Sequence, residues 1–259
     1  MMHEPETVVV VGLGEVGKPL FDLVSEFHPA VGVDLAPPPA ETSGIGVMHL
    51  CFPFRAGGFV GEAARYIEMF APALTIVNST VEVGTTRAIA ERTGARVAYS
   101  PVRGKHARML GDLRRYVKFV GAPDAASAAC AARHFESVGL ATKIVSTPET
   151  AELAKLSETT FFGLMIAWAQ EVERYADGIG GDYDEIVSFY DEIGFFPPVK
   201  YFPGVIGGHC VMPNIELLGR LQESDLLQAI QSSNRKKAER EAQGNAAAGT
   251  GSLDGGGRR

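Results

Sequence analysis

The sequence predicts an α/β protein: a doubly wound parallel sheet, followed by an all-helical region built around one long helix. Three observations carry this expectation. Short β-branched runs alternate with helical segments over the first 147 residues, a glycine-rich turn joins the first strand to the first helix, and one helical pattern of about 30 residues is followed only by further helical segments. The chain has 259 residues, 46% of them hydrophobic and 21% charged, as in ordinary soluble domains. Its net charge of −7 argues against nucleic acid as a partner. No apolar run approaches the roughly 18 residues of a membrane span, and the N-terminus does not read as a signal peptide. Cys51, Cys130 and Cys210 are odd in number and widely spaced, so they suggest neither a metal site nor a disulfide framework. A cytoplasmic location follows as the expectation.

The first strand is Thr7-Val8-Val9-Val10-Val11, a continuous β-branched run of the kind buried on both faces. Gly12-Leu13-Gly14-Glu15-Val16-Gly17 follows at once, and Pro19 to Phe27 reads as a helix. Strand, G-x-G-x-x-G and helix together form the dinucleotide fingerprint of a Rossmann-type sheet. Gly12, Gly14 and Gly17, with Glu15 and Val16 between them, are the expected pyrophosphate turn. A second strand, Ala30 to Val33, ends at Asp34, where a ribose 2′-hydroxyl would be held. An acid there disfavours a 2′-phosphate, so NAD is the expected cofactor. Only the Pro-rich stretch Ala36 to Ala40 separates Asp34 from the next strand, leaving no room for a crossover helix.

The alternation continues with strand Ile45–Phe52, helix Gly61–Phe70, strand Leu74–Asn78, helix Thr85–Arg92 and strand Arg96–Tyr99. Tyr116–Val120 and Thr142–Val145 are two further strands flanking an Ala-rich helix, Asp124–Glu136, all expected in the same sheet. Ligands bind at the carboxyl ends of such strands, and two of these ends are polar: Asn78-Ser79-Thr80 and Ser100-Pro101. The basic cluster Arg103, Lys105, His106 and Arg108 leaves that same edge; it reads as a solvated loop or as a phosphate contact. Cys51 and Cys130 read as small core residues.

Thr147-Pro148-Glu149 is a helix start, and the pattern runs to Asp177 with Gly178 as the expected stop. About 30 residues make a rod of roughly 45 Å. Leu153, Leu156, Thr160, Leu164, Trp168, Val172 and Tyr175 form a mostly apolar stripe, expected to be a homodimer interface. Glu152, Lys155 and Thr159 share another face, either solvated or turned toward a ligand. Asp182–Ile193 reads as a helix, Phe195-Phe196-Pro197-Pro198 as a rigid turn, and Pro213–Leu221 and Ser224–Glu241 as helices. Domains are expected at 1–147, binding the dinucleotide, and at 148–242, helical and dimerising, with 243–259 as a disordered tail.

Gly207-Gly208-His209-Cys210 sets a thiol in a glycine-rich turn immediately before a helix start. The positive end of a helix dipole favours the thiolate, and glycines permit close approach of a substrate. The arrangement suits a covalent nucleophile. His209 beside it could form a Cys-His pair, although sequence neighbours seldom face one another.

These segments resemble the UDP-glucose/GDP-mannose (nucleotide-sugar) dehydrogenase family. The matching motifs are Val11 to Leu20, Asn78-Ser79-Thr80-Val81 with Gly84-Thr85-Thr86, Tyr99-Ser100-Pro101, Ala151 to Leu156, and Pro203 to Cys210. They occur in the family's order. The resemblance implies two NAD-dependent oxidations of a nucleotide-sugar primary alcohol through a thiohemiacetal and a thioester. It makes Cys210 the nucleophile, Lys155 the oxyanion stabiliser and Thr80 a neighbour of the nicotinamide. It also implies a homodimer built on the central helix. Three departures stand out. Where the family has a Glu after Ser-Pro this chain has Val102, Thr159 replaces an Asn four residues beyond the lysine, and Asn214 replaces an Asp four residues beyond the cysteine. Neither Val nor Asn titrates, and acid–base assistance is worth roughly 10²–10⁴-fold. The family's third domain, which closes over the nucleotide sugar, has no counterpart in the motifs found here. Two readings therefore stand: an oxidoreductase acting on a sugar or small alcohol or aldehyde, and an NAD-binding regulatory or partner subunit without catalysis.

Overall fold

The computed structural model describes residues 7–34, 44–104, 106–194, 202–207 and 210–250. The Pro-rich stretch, Lys105, the Phe195–Pro198 turn, His209 and the tail from 251 onward lie outside the described residues. The chain forms two compact units that divide between Leu156 and Ser157.

The first unit holds β1 (Thr7–Val11), α1 (Gly17–Ser25), β2 (Ala30–Val33), β3 (Ile45–Leu50), α2 (Phe59–Phe70), β4 (Leu74–Val77), α3 (Thr85–Thr93) and β5 (Val97–Tyr99). A 3-10 turn (His106–Arg108), α4 (Met109–Arg115), β6 (Lys118–Val120), α5 (Ala125–Ser137) and β7 (Thr142–Ile144) follow. Strands β2-β1-β3-β4-β5 make one parallel sheet in that order. The chain thus pairs β2 on one side of β1 and β3 on the other. The crevice at the carboxyl ends of β1 and β3 is the switch point where doubly wound sheets take ligands.

The continuous valine run of β1 works because both of its faces are covered. Val8 and Val10 pack with Leu20, Leu23 and Val24 of α1, whereas Val9 and Val11 pack with Phe59, Ile67 and Phe70 of α2. Each valine so buried contributes roughly 1.5–3 kcal/mol of transfer free energy.

The last two strands depart from the expected single sheet. β6 and β7 pair with each other in parallel but form a separate two-stranded sheet. It meets the main sheet at an antiparallel bridge in which the Tyr99 and Gly121 backbones exchange hydrogen bonds of 2.7 and 3.0 Å. Gly121 also lies against the chain entering the next helix, where a Cβ on it would stand 2.5 Å from the Thr147 carbonyl. β6 runs antiparallel to β5, so its first residue, Lys118, lies beside the ligand-facing carboxyl end of β5. The helix α4 was also not foreseen, because its short sequence Met109–Arg115 carries an internal glycine and little periodicity.

Helix α6 (Pro148–Ile179) is the long helix, 32 residues in all. It outlasts the expected Gly178 stop, and Gly180 (φ +69°) ends it instead. Its first turns belong to the first unit. The second unit contains the remainder with α7 (Tyr183–Ser188), a 3-10 turn (Phe189–Glu192), α8 (Val211–Leu221) and α9 (Asp225–Thr250). Ala167, Ile206, Val211, Ile215, Leu227 and Ile230 form its core. α8 crosses α6 at Gly163, where a Cβ would stand 2.8 Å from a Val211 methyl.

The expected stripe on α6 splits in two. Leu156, Thr160 and Val172 are buried, whereas Leu153, Trp168 and Tyr175 are exposed. The helix passes from the first unit into the second after Leu156, so its burial is set by different neighbours along its length and not by one row. α9 runs to Thr250, eight residues into the segment expected to be a disordered tail. Among the described residues no helix is long and apolar enough to cross a membrane.

Candidate active site

The glycines of the first turn have different reasons to be there. Gly12 has φ +87°, and a Cβ on it would stand 2.7 Å from the Phe52 amide. A Cβ on Gly17 would come within 1.7 Å of the Gly12 carbonyl oxygen. Both are demanded by the fold itself. Gly14 is exposed and would meet nothing within 4 Å. It faces open space at the N-terminus of α1, whose cap residue Val16 offers no side-chain hydrogen bond and whose first turn holds no acid. The orphan N–H groups of that turn suit an anion.

The surrounding strand ends assemble beside this turn. The Gly12 amide donates to Val33 O (2.8 Å), placing exposed Asp34 next to it at the end of β2. Cys51 donates its amide to Val11 O (2.8 Å), and Ser79 Oγ donates to Phe52 O (2.6 Å), drawing the turn after β4 toward the end of β3. Thr80, next in that turn, is half-buried. A pyrophosphate turn, a carboxylate on the flanking strand and a hydroxyl two strands away fit a dinucleotide.

The face Glu152–Lys155–Thr159 divides. Glu152 is fully buried and accepts from Gly84 N (2.6 Å), Thr86 N (2.9 Å) and Thr86 Oγ1 (2.6 Å). It caps α3, which has no side-chain cap of its own, and so explains the motif Gly84-Thr85-Thr86. Burial raises its proton affinity, and these hydrogen bonds oppose the shift. One turn earlier Glu149 pairs with Arg87 through Nε (2.6 Å) and Nη2 (3.1 Å). The start of α6 is thus pinned to α3. Lys155 and Thr159, one and two turns beyond Glu152 along α6, are both half-buried. Val102, at the position of the family's acid, is buried in the core with Met109, Leu113 and Val120.

In the second unit, the segment entering the cysteine turn is clamped. Asn234 of α9 accepts from Ile206 N (2.7 Å) and donates to Ile206 O (3.1 Å). Gln170 of α6 donates to Gly204 O (2.8 Å) and to Asn234 Oδ1 (3.2 Å). Cys210 is exposed and stands at the N-cap of α8, one turn before buried Asn214, whose amide donates to Cys210 O (3.2 Å). α8 starts two residues earlier than expected, which brings the thiol closer to the helix end. The other cysteines sit against the core. Burial pushes the Cys51 thiol up to about 12, and Cys130 Sγ accepts from Arg133 (3.0 Å). The basic cluster is partly spent as well, since Arg108 pairs with Asp112 at 3.0 Å.

Sequence reasoning missed Lys118. It is buried at the start of β6 and donates from Nζ to Ser100 O and Pro101 O, both at 3.0 Å. The available signal was a lone cation inside the apolar run Tyr116–Val120.

Residues 149–236 match the sequence model of the UDP-glucose/GDP-mannose dehydrogenase family, central domain. The chain is 26% identical over 264 residues to an NDP-N-acetyl-D-galactosaminuronic acid dehydrogenase of Ralstonia nicotianae, covering 79% of this chain and 62% of that one. It is 30% identical over 142 residues to a UDP-N-acetyl-D-mannosamine dehydrogenase of Methanocaldococcus jannaschii, covering 53% of this chain and 33% of the relative. The fold is shared with the solved UDP-D-ManNAc dehydrogenase of Pyrococcus horikoshii, with a TM-score of 0.79 at 22% identity over 92% of this chain and 70% of that one. The chain therefore spans less than two thirds of the length of the curated relatives named.

Proposed function

We propose that this chain, which carries the central domain of the UDP-glucose/GDP-mannose dehydrogenase family at residues 149–236, is an NAD-dependent dehydrogenase of a nucleotide sugar with Cys210 as its covalent nucleophile. The observation that carries the reading is the exposed thiol at the N-cap of α8, inside the matched segment. The relatives are named for N-acetylated sugar nucleotides, so a UDP-N-acetylhexosamine is the first substrate to try.

Each role has a physical warrant. Gly14 and the uncapped start of α1 would receive the pyrophosphate, and Asp34 the adenosine ribose. Bound NAD supplies the hydride acceptor. Thr80 would orient the substrate or a water beside it. With one NAD the substrate's primary alcohol would lose a hydride and its hydroxyl proton to give the aldehyde; the Cys210 thiolate would add to that carbonyl to give a thiohemiacetal, and loss of a second hydride, with a second NAD as acceptor, would leave a thioester. Lys155 would stabilise the developing oxyanion. Water then releases the carboxylate, and here the chain is handicapped. Val102 lies in the core where the family has an acid, and Thr159 and Asn214 cannot replace the lost proton-handling capacity. The exposed Phe161, Trp168 and Tyr175 recur every seven residues along α6 and would seal a homodimer. The cytoplasmic location expected from the sequence belongs to the same reading.

Val102's burial favours a second reading, an NAD-binding partner subunit without turnover. One assay separates the two. Full-length protein with NAD and UDP-N-acetylhexosamines should produce NADH absorbance, or at minimum a stable acyl adduct on Cys210. If NAD binds but neither product forms across a broad sugar-nucleotide panel, the non-catalytic reading stands.

A further inference from the structure

One polar side chain interrupts the apolar strand β3, and it is fully buried: His49, on the face of the sheet where α5 packs. Burying an imidazole is costly unless its nitrogens are bonded. Here both are. Nδ1 lies 3.0 Å from Asn78 Nδ2, and Nε2 lies 2.9 Å from Nε2 of His134, itself buried on α5.

The hydrogen positions follow from one carbonyl. Asn78 Nδ2 also donates to Ile76 O (3.1 Å), a group that can only accept. The amide nitrogen therefore faces both Ile76 and His49, and His49 Nδ1 is the acceptor. The single hydrogen of that neutral ring sits on Nε2 and is donated to His134 Nε2, so His134 carries its own hydrogen on Nδ1. Asn78 Oδ1 is buried and has no hydrogen-bond partner among the described residues, so the amide is oriented through its nitrogen alone. The arrangement holds only while both rings are neutral. A second hydrogen on His134 Nε2 would face that of His49, and one on His49 Nδ1 would face the amide. The surroundings keep them neutral. Burial first, then His134 of α5, Lys118 of β6 and His28 beyond α1, push His49 well below its ordinary value, and burial followed by His28 holds His134 down to about 4.

Asn78 begins the turn that carries Thr80, and the end of β3 anchors that turn. Asn78 N donates to Leu50 O (2.9 Å) and Ser79 Oγ to Phe52 O (2.6 Å). The same strand end backs the pyrophosphate turn, where Gly12 lies against the Phe52 amide. We propose that His49 is a positioning residue for the dinucleotide: by accepting from Asn78 it fixes the Asn78-Ser79-Thr80 turn beside the cofactor, and His134 holds the imidazole in the tautomer this requires. The inference rests on the NAD-binding reading, which the catalytic and the non-catalytic accounts share. It adds that the property of His49 that matters to the cofactor is an acceptor at Nδ1, not bulk and not the bond to His134.

Two amide substitutions separate these properties. Asparagine places its amide near the position of Nδ1 and can accept from Asn78, whereas glutamine reaches toward Nε2 and can serve only His134. Each removes one of the two bonds. Calorimetric titration of the full chain with NAD at neutral pH should give an affinity within about twofold of wild type for His49→Asn and a loss of about tenfold or more for His49→Gln. Equal affinities in the two variants, or the greater loss in His49→Asn, overturn the proposal. Nitrogen-15 spectra of histidine-labelled wild-type protein give a reading that needs no variant. His49 should carry its hydrogen on Nε2 and His134 on Nδ1; a hydrogen on His49 Nδ1 overturns the proposal. Wild-type protein that shows these tautomers but does not bind NAD removes the cofactor reading and this inference together, whereas tight NAD binding with equal variant affinities removes this inference alone.

Discussion

Replacing Lys118 by methionine gives the most quantitative check on the electrostatics of this fold. Methionine keeps an unbranched apolar stem but removes the amine. Burial holds Lys118 from its ordinary 10.5 down to about 7, a difference worth about 5 kcal/mol between its two protonation states. The sign follows from proton counts. Between pH 7 and 10.5 the unfolded chain keeps this proton and the folded chain does not, so folded stability rises with pH in that window and is flat below it. From pH 7 to 9 the native protein should therefore gain about 2.3 kcal/mol relative to Lys118→Met. The variant also leaves the Ser100 and Pro101 carbonyls without their donor, at a cost of roughly 1–3 kcal/mol each at every pH. Urea denaturation of both proteins across pH 6 to 9 measures the difference directly. Working with the difference cancels the titration of other groups. If the gap between the two proteins stays constant over that range, the buried amine is not the group described.

Further outcomes follow from the same geometry. Gly17→Ala should fail to fold stably, because its Cβ would lie 1.7 Å from a carbonyl oxygen, whereas Gly14→Ala should fold normally and lose NAD affinity about tenfold or more; fluorescence titration and thermal melts distinguish them. Iodoacetamide should modify exposed Cys210 well before Cys51, whose thiol is raised to about 12, as peptide mapping would show, and Cys210→Ser should abolish any NADH formation. Glu152→Ala strips the partner from two amides at the start of α3 and should cost roughly 2–5 kcal/mol, read as a drop in denaturation midpoint. Trp168→Ser should leave folding intact and shift sedimentation toward monomer; an unchanged dimer would remove α6 as the interface.

Much of the first unit was legible because its signals are local. A valine run, three glycines and an acid at the right distance need no knowledge of distant residues, and the sheet places them as expected. What escaped was set by tertiary contacts. Nothing local in Glu152 says that its partners are two amides some 66 and 68 residues earlier. Spacing grouped it with Lys155, whereas the α3 terminus claimed it. β6 and β7 read as ordinary strands of the main sheet, but they form a separate pair that meets it at an antiparallel bridge through Gly121. Lys118 was passed over because a charge within a strand usually faces water, and only the fold shows that it faces two carbonyls. In the second unit the candidate cysteine and the helix start after it were legible, but the hydrogen bonds that hold the preceding segment, from Asn234 to the Ile206 backbone, join residues 28 apart.

The burial of Val102 also bears on any attempt at repair. Restoring a glutamate there would not hand a proton acceptor to the cleft. It would thrust an acid among Met109, Leu113 and Val120, where it would stay neutral or unravel its surroundings. Bringing a carboxylate from this position to the strand ends would first require re-routing the backbone after Pro101.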